Sequence, residues 1–123
     1  MSRGLALIIE DDVDLSFIFA ESLRAAGFES EIVRDGAVAE KRLAATEPEV
    51  VVLDLHLPNV SGEQLLTQIR RDGRLVKTRV ILCTADPRMA EPLQEIADLV
   101  LIKPIIFSQL RDLASRLAGT RND

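Results

Sequence analysis

The sequence predicts an α/β domain built on a parallel sheet, and two patterns carry that prediction. Five apolar runs of strand length alternate with segments of helical periodicity, which reads as repeated βα units. Four of those runs end on polar chemistry, at the carboxyl rim where open α/β sheets bind ligands. Leu5 to Ile9 leads into Glu10-Asp11-Asp12, and Val50-Val51-Val52-Leu53 into Asp54. Val80 to Cys83 leads into Thr84-Ala85, and Leu99 to Ile102 into Lys103-Pro104. A carboxylate after four apolar residues would be costly inside the core, so Asp54 is expected at the rim. Carboxylates, a hydroxyl and an ammonium at neighbouring strand ends suggest a site for phosphate and metal.

The first strand is expected at 5–9. A helix follows near 13–26, with Leu15, Ile18, Phe19, Ser22, Leu23 and Ala26 on one stripe and Gly27 as its stop. Phe17 falls on the opposite, polar face with Val13 and Arg24, and Asp12 is read as the residue opening the helix. The second strand, near 29–33, alternates polar and apolar residues as an edge strand does. Helices are expected near 36–46 and 62–71, and strands near 50–54 and 79–83. The fourth helix, near 88–97, is the weakest element. Pro87 and Pro92 interrupt it, and a regular helix is expected only from about Glu91. The last strand lies near 99–102 and the last helix near 106–118. The domain is expected over 1–118, with a frayed tail over 119–123.

At 123 residues, 47% of them hydrophobic, the chain is one domain with a real core. No apolar run approaches the roughly 20 residues that span a bilayer. The start of the chain carries no signal-peptide pattern, and the single Cys83 lies in an apolar strand, so a reducing, cytoplasmic home is expected. The net charge of −5 argues against direct nucleic-acid binding. Arg70, Arg71, Arg74, Lys77 and Arg79 do cluster, and they are read as a solvated helix terminus with cations favoured by the dipole.

The motifs Ile8-Ile9-Glu10-Asp11-Asp12, Asp54-Leu55-His56-Leu57-Pro58 with Gly62, Thr84-Ala85 and Lys103-Pro104 make the chain resemble the receiver domain of two-component response regulators along essentially its whole length. Taken singly each motif has a plain reading: a helix-start acidic pair, a β-branched strand residue, a surface lysine. Their order and their shared position at strand ends give the resemblance its weight. It implies a flavodoxin-like (CheY-like) doubly wound sheet of five parallel strands, order 2-1-3-4-5, with five flanking helices.

By the same resemblance Asp54 is the phosphoacceptor, taking a phosphoryl group from a phosphohistidine on a histidine kinase or histidine phosphotransfer protein. Glu10, Asp11 and Asp54 would converge as like charges and raise one another's pKa unless a cation screened them. Mg²⁺ suits such an all-oxygen site. Asp11, Asp54 and the backbone carbonyl of His56 are the implied ligands, with Glu10 acting through water. Lys103 would pair with Asp54 and later with a phosphoryl oxygen, and Thr84 would bond another. Pro104 sets the following turn, through a peptide that is usually cis in the family. The His56 side chain is either a plain exposed loop residue or, with Asp86, an influence on phosphate lifetime.

The sequence departs from the family pattern at three places. Val100 stands where an aromatic usually reports phosphorylation, the Thr84–Lys103 segment is short, and Ile105 and Ile106 follow Lys103-Pro104. Ile106 occupies a helix-cap position for which isoleucine is poorly suited. Phe17, Ile105 and Ile106 are expected to form an apolar patch for a four-helix phosphodonor, against the plainer reading of isolated exposed hydrophobes.

The expected function is a stand-alone, Mg²⁺-dependent response regulator in a phosphorelay, acting on an unknown output protein without contacting membrane or nucleic acid. Its catalysis is limited to its own phosphorylation and dephosphorylation. One rival is a phosphate-independent interaction module, which Val100 keeps open and the intact set of Glu10, Asp11, Asp54, Thr84 and Lys103 speaks against. The other is an aspartate-nucleophile phosphohydrolase, which needs an acid two residues after the nucleophile where this chain has His56.

Overall fold

The computed structural model describes residues 3–119. The strands are β1 (Leu5–Ile9), β2 (Glu29–Val33), β3 (Val50–Asp54), β4 (Arg79–Thr84) and β5 (Leu99–Ile102). The helices are α1 (Val13–Ala25), α2 (Gly36–Ala45), α3 (Gly62–Arg71), α4 (Pro87–Ala90) and α5 (Phe107–Gly119). All strand pairs are parallel and the sheet order is β2-β1-β3-β4-β5, as expected. Each inner strand is apolar through its middle because helices cover both faces of the sheet. Alternate residues then serve two cores. Leu7, Ile9, Val51, Leu53 and Leu82 pack with Leu65, Leu66 and Ile69 of α3. Ala6, Ile8, Val50, Val52 and Ile81 face Phe19 and Leu23 of α1 and Leu110 and Ala114 of α5. In β2 only Val33 is fully buried, in keeping with an edge strand.

Local chemistry sets the helix ends. Asp12 caps α1, its carboxylate accepting from the Leu15 N–H at 2.9 Å. Gly27, at φ +102°, ends the helix in a Schellman turn: its N–H donates to Arg24 O and that of Phe28 to Leu23 O, both at 3.0 Å. The buried face of α1 is shifted from the expected stripe, and takes in Ala20 as well. Ile18 is 41% exposed, whereas Ser16 is buried, its hydroxyl donating to Val13 O at 2.7 Å. A serine whose hydroxyl is satisfied by its own helix can lie against the sheet, and the helix is rotated accordingly.

The fourth helix reverses the expectation. It begins at Pro87, in the first turn where proline is tolerated, with the Asp86 carboxylate accepting from the Arg88 N–H at 3.0 Å. It stops at Ala90 because Pro92 has no N–H for the Arg88 carbonyl, and a 3₁₀ turn over Glu91–Leu93 follows. The final helix starts at Phe107, with Ile106 in the cap position. It includes Gly119, and residues 120–123 of the expected tail lie outside the described residues. No described helix is long and apolar enough to cross a membrane. Cys83 is buried, and burial pushes its thiol pKa up, which leaves it unreactive.

The basic cluster is more than a solvated helix end. Arg70 Nη2 lies 2.8 Å from Asp98 Oδ2, while its Nε and Nη1 donate to Ile96 O and Thr78 O at 2.6 and 2.9 Å. Arg79 Nη1 reaches Asp98 Oδ1 at 3.2 Å, and Asp98 also accepts from the Val80 N–H at 2.7 Å. Arg74 donates to Leu43 O at 2.8 Å. Arg70 ties α3, and Arg79 ties β4, to the segment that replaces a longer fourth helix, while Arg74 reaches α2. Asp98→Ala removes the carboxylate that two arginines and one strand N–H share, and should lower unfolding free energy by about 2–3 kcal/mol in urea titration. Arg71→Ala, at an exposed position, should stay within about 0.5 kcal/mol of the parent.

Candidate functional site

Strand register assembles the site. Ile9 pairs with Leu53, which sets Glu10, the next residue, beside Asp54. Asp54 pairs with Cys83, and Thr84 with Ile102, so Thr84 and Lys103 complete the row along the carboxyl rim. The Lys103 N–H donates to Thr84 O at 2.8 Å, and the Lys103–Pro104 peptide is cis. Glu10, Asp54 and Thr84 are buried, while Asp11 is exposed. Gly62 is needed behind them. A Cβ there would lie 2.2 Å from Asp54 O and 2.7 Å from Leu55 Cα, so only glycine lets α3 start this close to the strand end.

Carboxylate oxygens of Glu10, Asp11 and Asp54 lie within 4.8 Å of one another. One ammonium faces them. Lys103 Nζ is 2.8 Å from Glu10 Oε1 and 3.4 Å from Asp54 Oδ1, so the lysine is shared and sits closer to Glu10 than to the expected partner. Glu10 Oε2 accepts from the Asp12 N–H at 3.2 Å, but Oε1 has the ion pair without a well-formed hydrogen bond. Burial raises the Glu10 pKa to about 7, the Lys103 ammonium offsetting this only in part and the Asp54 charge adding to it. Burial acts against the Lys103 ammonium as well, yet the two carboxylates outweigh it and hold its pKa above the usual value.

This donor set fits a hard cation. It is all oxygen, carries more negative charge than one lysine balances, and includes a buried carboxylate oxygen short of hydrogen bonds. The Thr84 hydroxyl accepts from the Asp86 N–H at 3.1 Å, which orients it at the rim. His56 is exposed. Arg88, which the sequence reading did not single out, pairs with Asp86 at 3.3 Å. Arg88 is the main cause that holds the Asp86 carboxyl below its usual range, with a smaller effect from His56.

The expected apolar patch is corrected at one residue. Ile105 is only 4% exposed and packs in the core that α1 and α5 share, because the turn after Pro104 directs it inward. Phe17 and Ile106 remain 54% and 63% exposed, and the Arg34 guanidinium lies over the Phe17 ring at 5.2 Å. Val100 is partly buried against the core that includes Leu82, Ala90 and Leu93.

The raised Glu10 pKa has a definite sign. Between its ordinary value of 4.5 and about 7 the folded protein binds a proton that the unfolded chain releases. Stability from this group is therefore full below pH 4.5 and is lost as pH rises through 7. In chelator, the difference in thermal midpoint between Glu10→Gln and the parent should move in the variant's favour from pH 5 to pH 8. A difference that stays constant with pH would contradict a raised Glu10 pKa.

Residues 6–115 match the family described as the response regulator receiver domain. The transcriptional regulatory protein PrrA of Mycobacterium leprae is 32% identical over 112 residues, covering 89% of this chain and 48% of that protein. The response regulator protein PmrA of Pseudomonas aeruginosa is 36% identical over 120 residues, covering 92% of this chain and 53% of its own. The chain thus spans about half the length of the curated relatives it matches. Among solved structures, the signal receiver domain of a signal transduction histidine kinase from Syntrophus aciditrophicus superposes with a TM-score of 0.85 at 29% identity, covering 97% of this chain and 92% of that one. With motif, fold and rim geometry in agreement, the chain belongs to the response regulator receiver domain family.

Proposed function

We propose that the protein is a phosphorylatable receiver in which Asp54 accepts a phosphoryl group from a phosphohistidine of a histidine kinase or phosphotransfer protein. The observation that carries this reading is the convergence of Asp54 with Glu10 and Asp11 within 4.8 Å, beside a shared Lys103. A carboxylate oxygen of Asp54 attacks phosphorus, a P–O bond forms, and the P–N bond breaks as the imidazole leaves with its electron pair. Asp11, Asp54 and the His56 backbone carbonyl would hold Mg²⁺, with Glu10 acting through water. Bound there, Mg²⁺ would neutralise charge on the phosphoryl oxygens.

Lys103 holds the pocket's one balancing charge and would follow the phosphoryl group as negative charge moves outward. Thr84, its hydroxyl already fixed by the Asp86 N–H, can turn its proton to a second phosphoryl oxygen. The protein would catalyse only its own phosphorylation and dephosphorylation. This chemistry is the same for a receiver that acts alone, as the sequence reading has it, and for one within a longer regulator such as the curated relatives. The domain proper is proposed to end with α5, and its output to be contact with another protein.

Intact mass after incubation with a small-molecule phosphodonor tests the reading. A gain of one phosphoryl group is expected with Mg²⁺ and not with chelator, and it should vanish in Asp54→Asn. Absence of phosphorylation together with absence of beryllofluoride binding would overturn it. Separately, Mg²⁺ at a hundredfold over its Kd should stabilise the parent by about 2.7 kcal/mol, and Asp11→Ala should abolish most of that gain in a thermal melt.

A further inference from the structure

We propose that Asp35 and Asn59 form a latch between the start of α2 and the loop after β3, and that this latch sets the divalent-cation affinity of the rim by positioning the backbone around His56. The inference rests on the Mg²⁺ site proposed above and assigns positioning residues to it. The Asp35 carboxylate does two jobs. Oδ1 caps α2 by accepting from the Ala37 and Val38 N–H groups at 2.7 and 3.1 Å. Oδ2 accepts a hydrogen bond from the Asn59 side-chain amide.

Backbone contacts at Gly36 join the same two segments, and the loop is turned within itself. The Gly36 N–H donates to Pro58 O at 3.0 Å, and the Val60 N–H donates to the same carbonyl at 2.9 Å. A Cβ on Gly36 would sit 1.9 Å from Val60 O, so α2 meets the loop at a distance that only glycine permits. Asn59 has φ +71°, the one positive φ at a non-glycine among the described residues. Asparagine tolerates that region better than most residues, but it holds there only when its surroundings fix it. The Asp35 carboxylate supplies that fixing contact.

Apart from the contacts at Gly36, the outer side of the loop stands clear of the core. Leu55 is buried and Leu57 and Val60 pack against the core, whereas His56, Pro58 and Asn59 are exposed. Asp54 is buried at its strand end and Asp11 follows β1, so the His56 carbonyl is the member of the proposed ligand set that this loop places, three residues from the latch. A metal-ligating group that is already in place binds with less ordering cost than one that must be fixed on binding. Partners bonded directly to a metal ligand are typically worth about 10- to 100-fold in affinity, and the latch, acting through three residues of backbone, belongs at the low end.

Isothermal titration calorimetry with MgCl₂ on the whole chain tests the latch. Asn59→Gly removes the amide and keeps the positive φ. Asp35→Ser removes Oδ2 and keeps a helix-capping oxygen. Each variant should weaken Mg²⁺ binding about tenfold, and the double variant should bind no worse than the weaker single one, since both break the same contact. A Kd within twofold of the parent in Asn59→Gly would overturn the latch even if Asp35→Ser does not fold. So would fully additive losses in the double variant, or a lowered thermal midpoint with unchanged Kd, which marks a purely structural contact. No Mg²⁺ binding by the parent would instead remove the metal site itself, and the latch with it.

Discussion

Everything at the rim follows from three carboxylates held within 4.8 Å with one lysine to balance them. At about 4 Å two like charges repel by roughly 4 kcal/mol at an effective dielectric near 20. Three acids make three such pairs, and the exposed position of Asp11 relieves only some of them. Lys103 offsets two contacts, and burial, with the Asp54 charge adding to it, keeps Glu10 protonated to an unusually high pH. The pocket is under electrostatic tension that a hard cation would relieve.

That tension persists only because the backbone around it is tightly packed. Gly62 lets α3 begin against the carbonyl of Asp54, and Gly36 lets α2 begin against that of Val60. The segment between Asp54 and α3 is therefore held by a helix start on either side. Ser61 reinforces one of them, with its hydroxyl accepting from the Gln64 N–H while the Gln64 side chain accepts from the Ser61 N–H. Farther from the rim, Asp98 gathers Arg70 and Arg79 and so fastens the irregular segment before β5. A fourth helix of one turn is compatible with an ordered β5 because these ion pairs take over its anchoring.

Legibility along the chain depended on whether a signal was local. The strands, their rim residues and the capping role of Asp12 follow from runs and neighbours a few residues apart, and the structure agrees with them. The structure departs from the expectation where neighbouring signals compete or where the deciding partner is distant. Pro87 and Pro92 announced an interruption, but the side on which the helical turn survived depended on Asp86 capping it. Ile105 and Ile106 are adjacent and chemically identical, yet one is buried and the other exposed because a turn points them in opposite directions. Arg70 and Arg79 looked like solvated charge until Asp98, 28 and 19 residues away, came within reach.

By itself the sequence determined the alternation of strands and helices and the identity of the groups at each strand end. Hydrophobic periodicity and short motifs are properties of contiguous residues, and they survive without any knowledge of the fold. Tertiary structure alone decided the distances that make those groups a site: Lys103 nearer Glu10 than Asp54, Ser16 buried in place of Ile18, and Asp35 joined to Asn59. The physical reason is that charge coupling and side-chain burial depend on separations of a few ångströms between residues far apart in the chain. Only strand register and helix rotation set those separations.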